Sequence, residues 1–422
     1  MKTQILAALS AFFLSGCVVV PVAPPVEILL QARPPVTILV SIDGFHPDYL
    51  GRGVTPVLSR LAAEGVSASM RPSFPSKTFP NHWTLVTGLR PDRNGIVANT
   101  MEDPRRPGET FTMASDDPFW WNEAEPIWVS AEKAGVRTAT MFWPGANVAL
   151  GGSRAKDWPN PVTGGVRPAD WQHFNQQLPN NQRVDTVIDW LRRPTATRPT
   201  FLTVYFDTVD TAGHQFGPAS DETTKAVAEI DTIVGRLVTE LDKLGQPANI
   251  VIVADHGMAA TSPDRIVALD NLVPKEDYRV VDSGAFASVV PAPGKERSVA
   301  TALTRTWPNM KCWAKANIPA RFHYGKNPRV APILCLADVG WLVQRTPIQK
   351  PVVLGNHGYD ADAPEMRALF IATGPAFRPG VRLPDFDNVS VAPLLRGLIG
   401  LPPATGLDGD DTPFRTALKD PR

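Results

Sequence analysis

The sequence predicts an α/β fold: a mainly parallel central sheet with helices on both faces and a smaller inserted subdomain. Three observations predict it. Continuous apolar, β-rich runs recur along the chain, segments of helical period separate them, and acidic or histidine residues stand just past their ends. Strands buried on both faces read as unbroken apolar runs, and such sheets are parallel when helices connect them. Their ligands gather at the carboxyl ends of the strands.

Val36 to Ile42 is the first such run and stops at Asp43-Gly44. Pro56 to Ala63 has helical spacing and ends before Gly65. Thr138–Trp143 and Phe201–Phe206 read as strands. From Asp221 to Leu244, Val227, Ile230, Val234, Leu237, Leu241 and Leu244 keep to one helical face, with Ser220 to cap the start and Gly245 the end. Asn249–Ala254 is a buried strand running into Asp255-His256-Gly257, and Ala368–Ala372 is a late one. The stretch 263–344, with Pro, Trp, both Cys312 and Cys335 and shorter apolar runs, reads as an insertion. The catalytic domain is then 35–262 together with 345–418.

The chain carries 42 Lys+Arg and 42 Asp+Glu, so a basic face for nucleic acid is not expected. The 43 prolines are scattered and imply rigid loops. Residues 1–17 open with Lys2 and a short apolar run, Ile5 to Leu14, too short to span a bilayer and suited to a secretory signal. Leu14-Ser15-Gly16-Cys17 resembles a bacterial lipobox with Cys17 as the lipid acceptor; a simply cleaved signal is the alternative. Residues 18–34 read as a tether. Val18 in place of Asp favours the outer membrane if the cell is Gram-negative. The chain is thus expected to be exported to the periplasm, held to the membrane by lipid alone, and monomeric. In that oxidising compartment Cys312 and Cys335 are expected to join, worth about 3 kcal/mol by chain entropy; two buried thiols are the alternative.

The chemistry rests on a constellation. An Asp at a strand end is more often a turn-former or helix cap than a ligand. Here, however, Asp210 and His214 lie four apart in a Gly-containing segment read as a loop, Asp255 and His256 are adjacent after a strand, and His357 sits between glycines. Only seven histidines are present, so three in such settings is a pattern. Mixed Asp and His ligands suit zinc. With Asp43, six groups suffice for two Zn²⁺, the usual device for phosphoryl displacement. Thr78, in Pro75-Ser-Lys-Thr-Phe-Pro80, is a candidate nucleophile, since metal binding can make an alkoxide of it. On the residues alone a Pro-bounded turn is the better reading. Lys77 reads as structural.

The chain resembles the nucleotide pyrophosphatase/phosphodiesterases of the alkaline phosphatase superfamily. The segments that carry the likeness include Ser41-Ile-Asp-Gly-Phe45, Phe74-Pro-Ser-Lys-Thr-Phe-Pro-Asn-His82, Gly95-Ile-Val-Ala-Asn-Thr-Met101, Tyr205-Phe-Asp-Thr-Val-Asp210, Ala254-Asp-His-Gly-Met258 and Asn356-His-Gly358. The resemblance implies an alkaline phosphatase-like fold. It gives one zinc to Asp210, His214 and His357, and the other to Asp43, Asp255 and His256 with Thr78 as a fourth, reactive ligand. It implies a phospho-threonine intermediate on Thr78, a hydrogen bond from Asn99 to a phosphate oxygen, and a nucleobase stacked by Phe79 and Tyr205. The implied substrates are small nucleotide diesters or anhydrides, with nucleoside 5′-monophosphate as product. A lysophospholipid or glycerophosphocholine diesterase and a non-catalytic envelope lipoprotein are the alternatives.

Overall fold

The structure, a computed structural model, describes residues 33–348 and 353–420. The signal, Cys17 and nearly all of the tether lie outside these residues. The central sheet is built from nine strands: β1 (Val36–Ile42), β2 (Val66–Arg71), β3 (Thr138–Met141), β4 (Asp170–Trp171), β5 (Phe201–Phe206), β6 (Ala248–Val253), β7 (Ala368–Thr373), β8 (Val381–Arg382) and β9 (Phe386–Asp387). Their order is β8-β2-β7-β6-β1-β5-β3-β4, with β9 also on β2. β1 is central, and every one of its residues is buried, as are all those of β5. That two-sided burial is why both read as unbroken apolar runs.

β1 pairs in parallel with β5 and β6, so Ile42 lies opposite Phe206, and Ser41 opposite both Tyr205 and Val253. β7 alone runs against the rest, antiparallel to β6 and to β2. The sheet is therefore mainly parallel with one reversed interior strand, which the apolar pattern does not reveal.

The helices that matter for the site are α1 (Pro56–Glu64), α2 (Thr78–Thr87), α3 (Asn180–Arg192), α4 (Thr208–Phe216), α5 (Asp221–Lys243) and α6 (Val391–Leu398). α5 starts where Ser220 Oγ accepts from Thr223 N at 3.1 Å and buries Val227, Ile230, Val234, Leu237 and Leu241. Two sequence expectations are corrected. Asp210–His214 lies in helix α4, not in a loop, and Thr78 opens helix α2 rather than a turn. Pro80 is tolerated there because the first turn's N–H groups need no intrahelical acceptor.

Between β6 and β7, strands 278–282, 286–291, 333–337 and 310–314 form a four-stranded antiparallel sheet in that order. Residues 266–268 pair with 342–344 in parallel. Cys312 lies opposite Cys335 in this sheet and the two are joined as a disulfide. Phe286, Phe322 and Tyr324 from this segment pack into the main core beside Phe74. No described helix is long and apolar enough to cross a membrane.

Candidate active site

Strand ends deliver the acidic groups. Asp43 follows β1, and its N–H still donates to Phe206 O at 2.9 Å, which holds the residue at the sheet's carboxyl edge. Asp255 and His256 follow β6. Gly44 has φ +69°, and a Cβ there would come within 3.1 Å of Asp210, so glycine lets α4 seat that carboxylate against the end of β1. On α4, Asp210 and His214 are four residues apart and share a face. His357 follows a two-residue strand, Gly355–Asn356, paired with Ala259–Ala260. A Cβ on Gly355 would sit 2.3 Å from Gly213 O, so this close crossing requires glycine.

These elements bring the six expected groups into one contiguous cluster. The ligand atoms of Asp210, His214 and His357 lie within 4.8 Å of one another, as do those of Asp43, Asp210 and His256. His256 Nε2 is 2.9 Å from Asp255 Oδ2 and 3.5 Å from Asp43 Oδ1. The rings of His256 and His357 stack at 3.5 Å, so the two halves of the cluster adjoin. His214 keeps 30% of its side chain exposed, whereas Asp255 and His256 keep none. Solvent therefore reaches the cluster from the His214 side.

The donor set fits divalent cations. Asp43 Oδ1, Asp210 Oδ1 and Asp255 Oδ2 are buried without a hydrogen-bond donor. The close approach of His256 does not satisfy Asp255, because His256 Nδ1 donates to Gly257 O at 2.9 Å and leaves a lone pair on Nε2. Unmet buried carboxylate oxygens are costly unless a cation is present. Burial, with Asp255 and Asp210 alongside, pushes the Asp43 carboxyl well above the usual range. Burial pushes His357 well below the usual imidazole range, which leaves it neutral and able to act as a ligand.

Thr78 is the first residue of α2, 7% exposed, with Oγ1 3.3 Å from His256 Nε2. Asn99 Oδ1 accepts from Phe79 N at 3.0 Å. That bond fixes the carboxamide, so its NH₂ faces away from Phe79 N and is left to donate elsewhere. Lys77 is buried ahead of Thr78, its ammonium 5.5 Å from the Phe286 ring.

Together, the sheet and the cluster at its carboxyl edge define a hydrolase of the alkaline phosphatase superfamily. Residues 37–360 match the family described as Type I phosphodiesterase / nucleotide pyrophosphatase. An uncharacterised pyrophosphatase/phosphodiesterase of Schizosaccharomyces pombe is 37% identical over 386 residues, 86% of this chain and 77% of that protein. The bis(5'-adenosyl)-triphosphatase enpp4 of Xenopus laevis is 36% identical over 371 residues, 87% of this chain and 78% of that one. Human ectonucleotide pyrophosphatase/phosphodiesterase 5 superposes with a TM-score of 0.85 at 32% identity, covering 91% of this chain and all (100%) of that one. An inactive variant of the murine counterpart, solved with AMP, gives 0.84 at 32% identity, covering 92% and 100%. The chain belongs to the Type I phosphodiesterase / nucleotide pyrophosphatase family.

The Tyr205 ring, expected to stack a base, is 1% exposed, and its hydroxyl donates to Asp43 Oδ2 at 2.6 Å. In this arrangement it orients a carboxylate of the cluster. Phe79 is equally buried, covered by Phe111, Trp121 and Phe174. Sequence reasoning missed Phe174, a partly exposed ring between β4 and α3 that also packs on Tyr205 at 5.1 Å. The buried Arg183 donates to Gln176 O, Leu178 O, Tyr205 O and Asp207 Oδ1, which ties the segment after Phe174 to the end of β5. His82 was also missed, although its spacing of four from Thr78 would have flagged it on a helix.

Proposed function

We propose that this chain is a metal-dependent phosphodiesterase and pyrophosphatase that cleaves nucleotide esters and anhydrides and releases nucleoside 5′-monophosphate through a phospho-threonine on Thr78. One observation carries the reading: the Thr78 hydroxyl sits 3.3 Å from His256 Nε2, at the edge of a cluster whose buried carboxylate oxygens have no hydrogen-bond donor. Asp210, His214 and His357 would hold one Zn²⁺, and Asp43, Asp255 and His256 the other. When bound, such ions lower the pKa of an attacking alcohol and offset phosphate charge.

The chain's own groups do the rest. Thr78 Oγ1 attacks phosphorus, the bond to the leaving oxygen breaks, and water later hydrolyses the threonine ester. The start of α2 favours the developing negative charge through the helix dipole. The Asn99 NH₂ donates to a non-bridging oxygen, an interaction that strengthens as charge builds there. Phe79 stacks the base, with Phe174 moving aside from its ring; an aromatic face accepts any base. The AMP bound to the murine relative and the name of the Xenopus relative support a nucleotide substrate. We also propose export and lipid attachment through Cys17, with the Cys312–Cys335 disulfide as support, and action as a monomer.

The test compares a chromogenic nucleotide ester with a choline phosphate ester, for the parent and for Thr78→Ala. Nucleotide turnover in the parent is expected, and its loss in a variant that still binds metal. Preference for the choline ester would move the chain to the lipid-cleaving alternative. Near-normal turnover by Thr78→Ala would remove Thr78 as nucleophile.

A further inference from the structure

We infer that His82 is a positioning residue that holds the nucleophile's backbone in register with β1, beside a metal-holding carboxylate. The inference rests on the reading of Thr78 as nucleophile and Asp255 as ligand. His82 is fully buried on the second turn of α2. Its Nδ1 is 2.8 Å from Thr78 O and 3.3 Å from Asp255 Oδ2. Its Nε2 is 2.7 Å from Ser41 Oγ.

A carbonyl oxygen only accepts, so Nδ1 carries the hydrogen and Nε2 accepts from the Ser41 hydroxyl. That N–H therefore donates to the carbonyl of the nucleophilic residue, and its positive end lies beside the carboxylate oxygen 3.3 Å away without completing a second hydrogen bond. Ser41 comes from β1, the strand that also delivers Asp43. The ring thus joins the start of α2 to the ends of β1 and β6, the three elements that carry Thr78, Asp43 and Asp255. Trp143 and Tyr205 set their rings edge-on to it at 5.0 and 5.2 Å, and Trp143 Nε1 donates to His82 O at 3.0 Å. The imidazole has no room to turn. Both of its nitrogens are engaged, so it serves the cluster without being a ligand.

Two substitutions separate the ring's two ends. Asparagine's NH₂ can occupy the place of Nδ1 and keep the donor to Thr78 O. Glutamine's amide reaches the place of Nε2 and loses it. The measurement is zinc retained per chain after dialysis against graded chelator, with the metal-free melting temperature recorded alongside. His82→Gln is expected to weaken zinc retention by about 10–100-fold, and His82→Asn by about threefold or less, as for lost and kept outer-shell hydrogen bonds. Equal weakening by both, or none by His82→Gln, overturns the proposal. If both variants unfold, Ser41→Ala decides, since it removes only the hydroxyl that anchors the ring's Nε2 to β1. Weaker zinc retention at an unchanged metal-free melting temperature supports the role, and unchanged retention overturns it. Thr78→Ala, assayed in parallel, reports on the nucleophile separately, because it leaves this hydrogen-bond pattern intact.

Discussion

His214 and His357 point their Nε2 atoms at each other across 3.1 Å. Each ring's Nδ1 lies against a carbonyl oxygen, that of Gly355 at 2.8 Å and that of Ser76 at 2.9 Å. Both Nδ1 atoms must donate, so both Nε2 atoms present lone pairs. With Asp210 Oδ1 3.5 and 3.6 Å away, these groups repel unless a cation lies among them. Chelation should therefore abolish turnover and lower the melting temperature. Zinc should restore both better than magnesium, which prefers oxygen ligands. At free zinc 100-fold above Kd the gain in stability is about 2.7 kcal/mol. Equal recovery with magnesium, read by melting and by turnover, would argue against the nitrogen-rich cluster as the metal site.

Asn99 gives the second prediction. Its orientation is set by Phe79 N, so the free NH₂ is preorganised and needs no rearrangement as charge develops on phosphate. Asn99→Ala should lower kcat by about 10²–10³, the usual effect of removing one such donor. KM and metal content should stay close to parental values. A rise in KM at constant kcat would assign Asn99 to ground-state binding instead.

The third prediction separates two roles for Tyr205. The hydroxyl donates to Asp43 Oδ2, which leaves Oδ1 for a cation. Tyr205→Phe keeps an aromatic ring in the same packing and deletes only the donor. Zinc retention should weaken by about tenfold or more, as for other outer-shell partners, while KM for the nucleotide stays unchanged. A normal zinc affinity with an altered KM would return Tyr205 to the substrate side.

The parts of this fold that could be read from sequence are those where local pattern and burial agree. β1 and β5 are buried on both faces, so an unbroken apolar run marks each; α5 has a face, a cap and a stop. The reversal of β7 left no local trace, because strand direction depends on where the chain comes from. The α4 helix was hidden by Gly213 and His214, both weak helix formers. Packing overrides that weakness, since a Cβ on Gly213 would stand 3.0 Å from Met258 Cε. The six ligand-type residues were legible from their positions after strands and between glycines. The Tyr205–Asp43 and His82–Ser41 hydrogen bonds were not, because each joins residues that only the sheet register and the docking of α2 bring together.

The last prediction concerns stability away from the cluster. Asp103 and Arg329 have no exposed side-chain surface and meet at 2.8 Å. Arg329 also donates to Gly95 O at 2.7 Å and Trp120 O at 2.6 Å, so it links the Gly95–Asp103 segment, which carries Asn99, to the Trp120 turn. Burial opposes ionisation of Asp103, but Arg105 and Arg329 hold its carboxyl well below the usual carboxylate range. A depressed folded pKa contributes stability that is complete above the unfolded value, about 4, and is lost as pH falls through the folded value. Asp103→Asn removes that charge at every pH and leaves Arg329 with Glu123 at 3.3 Å as its remaining carboxylate. The variant should be less stable by about 3 kcal/mol at pH 7, the scale for breaking a buried pair. The gap should hold down to about pH 4 and narrow below it, because the parent's unfolded chain then takes up a proton at Asp103 that its folded state does not. Urea unfolding at pH 7, 5 and 3 measures it. A gap that stays constant through pH 3 would mean the loss comes from packing and not from the ion pair.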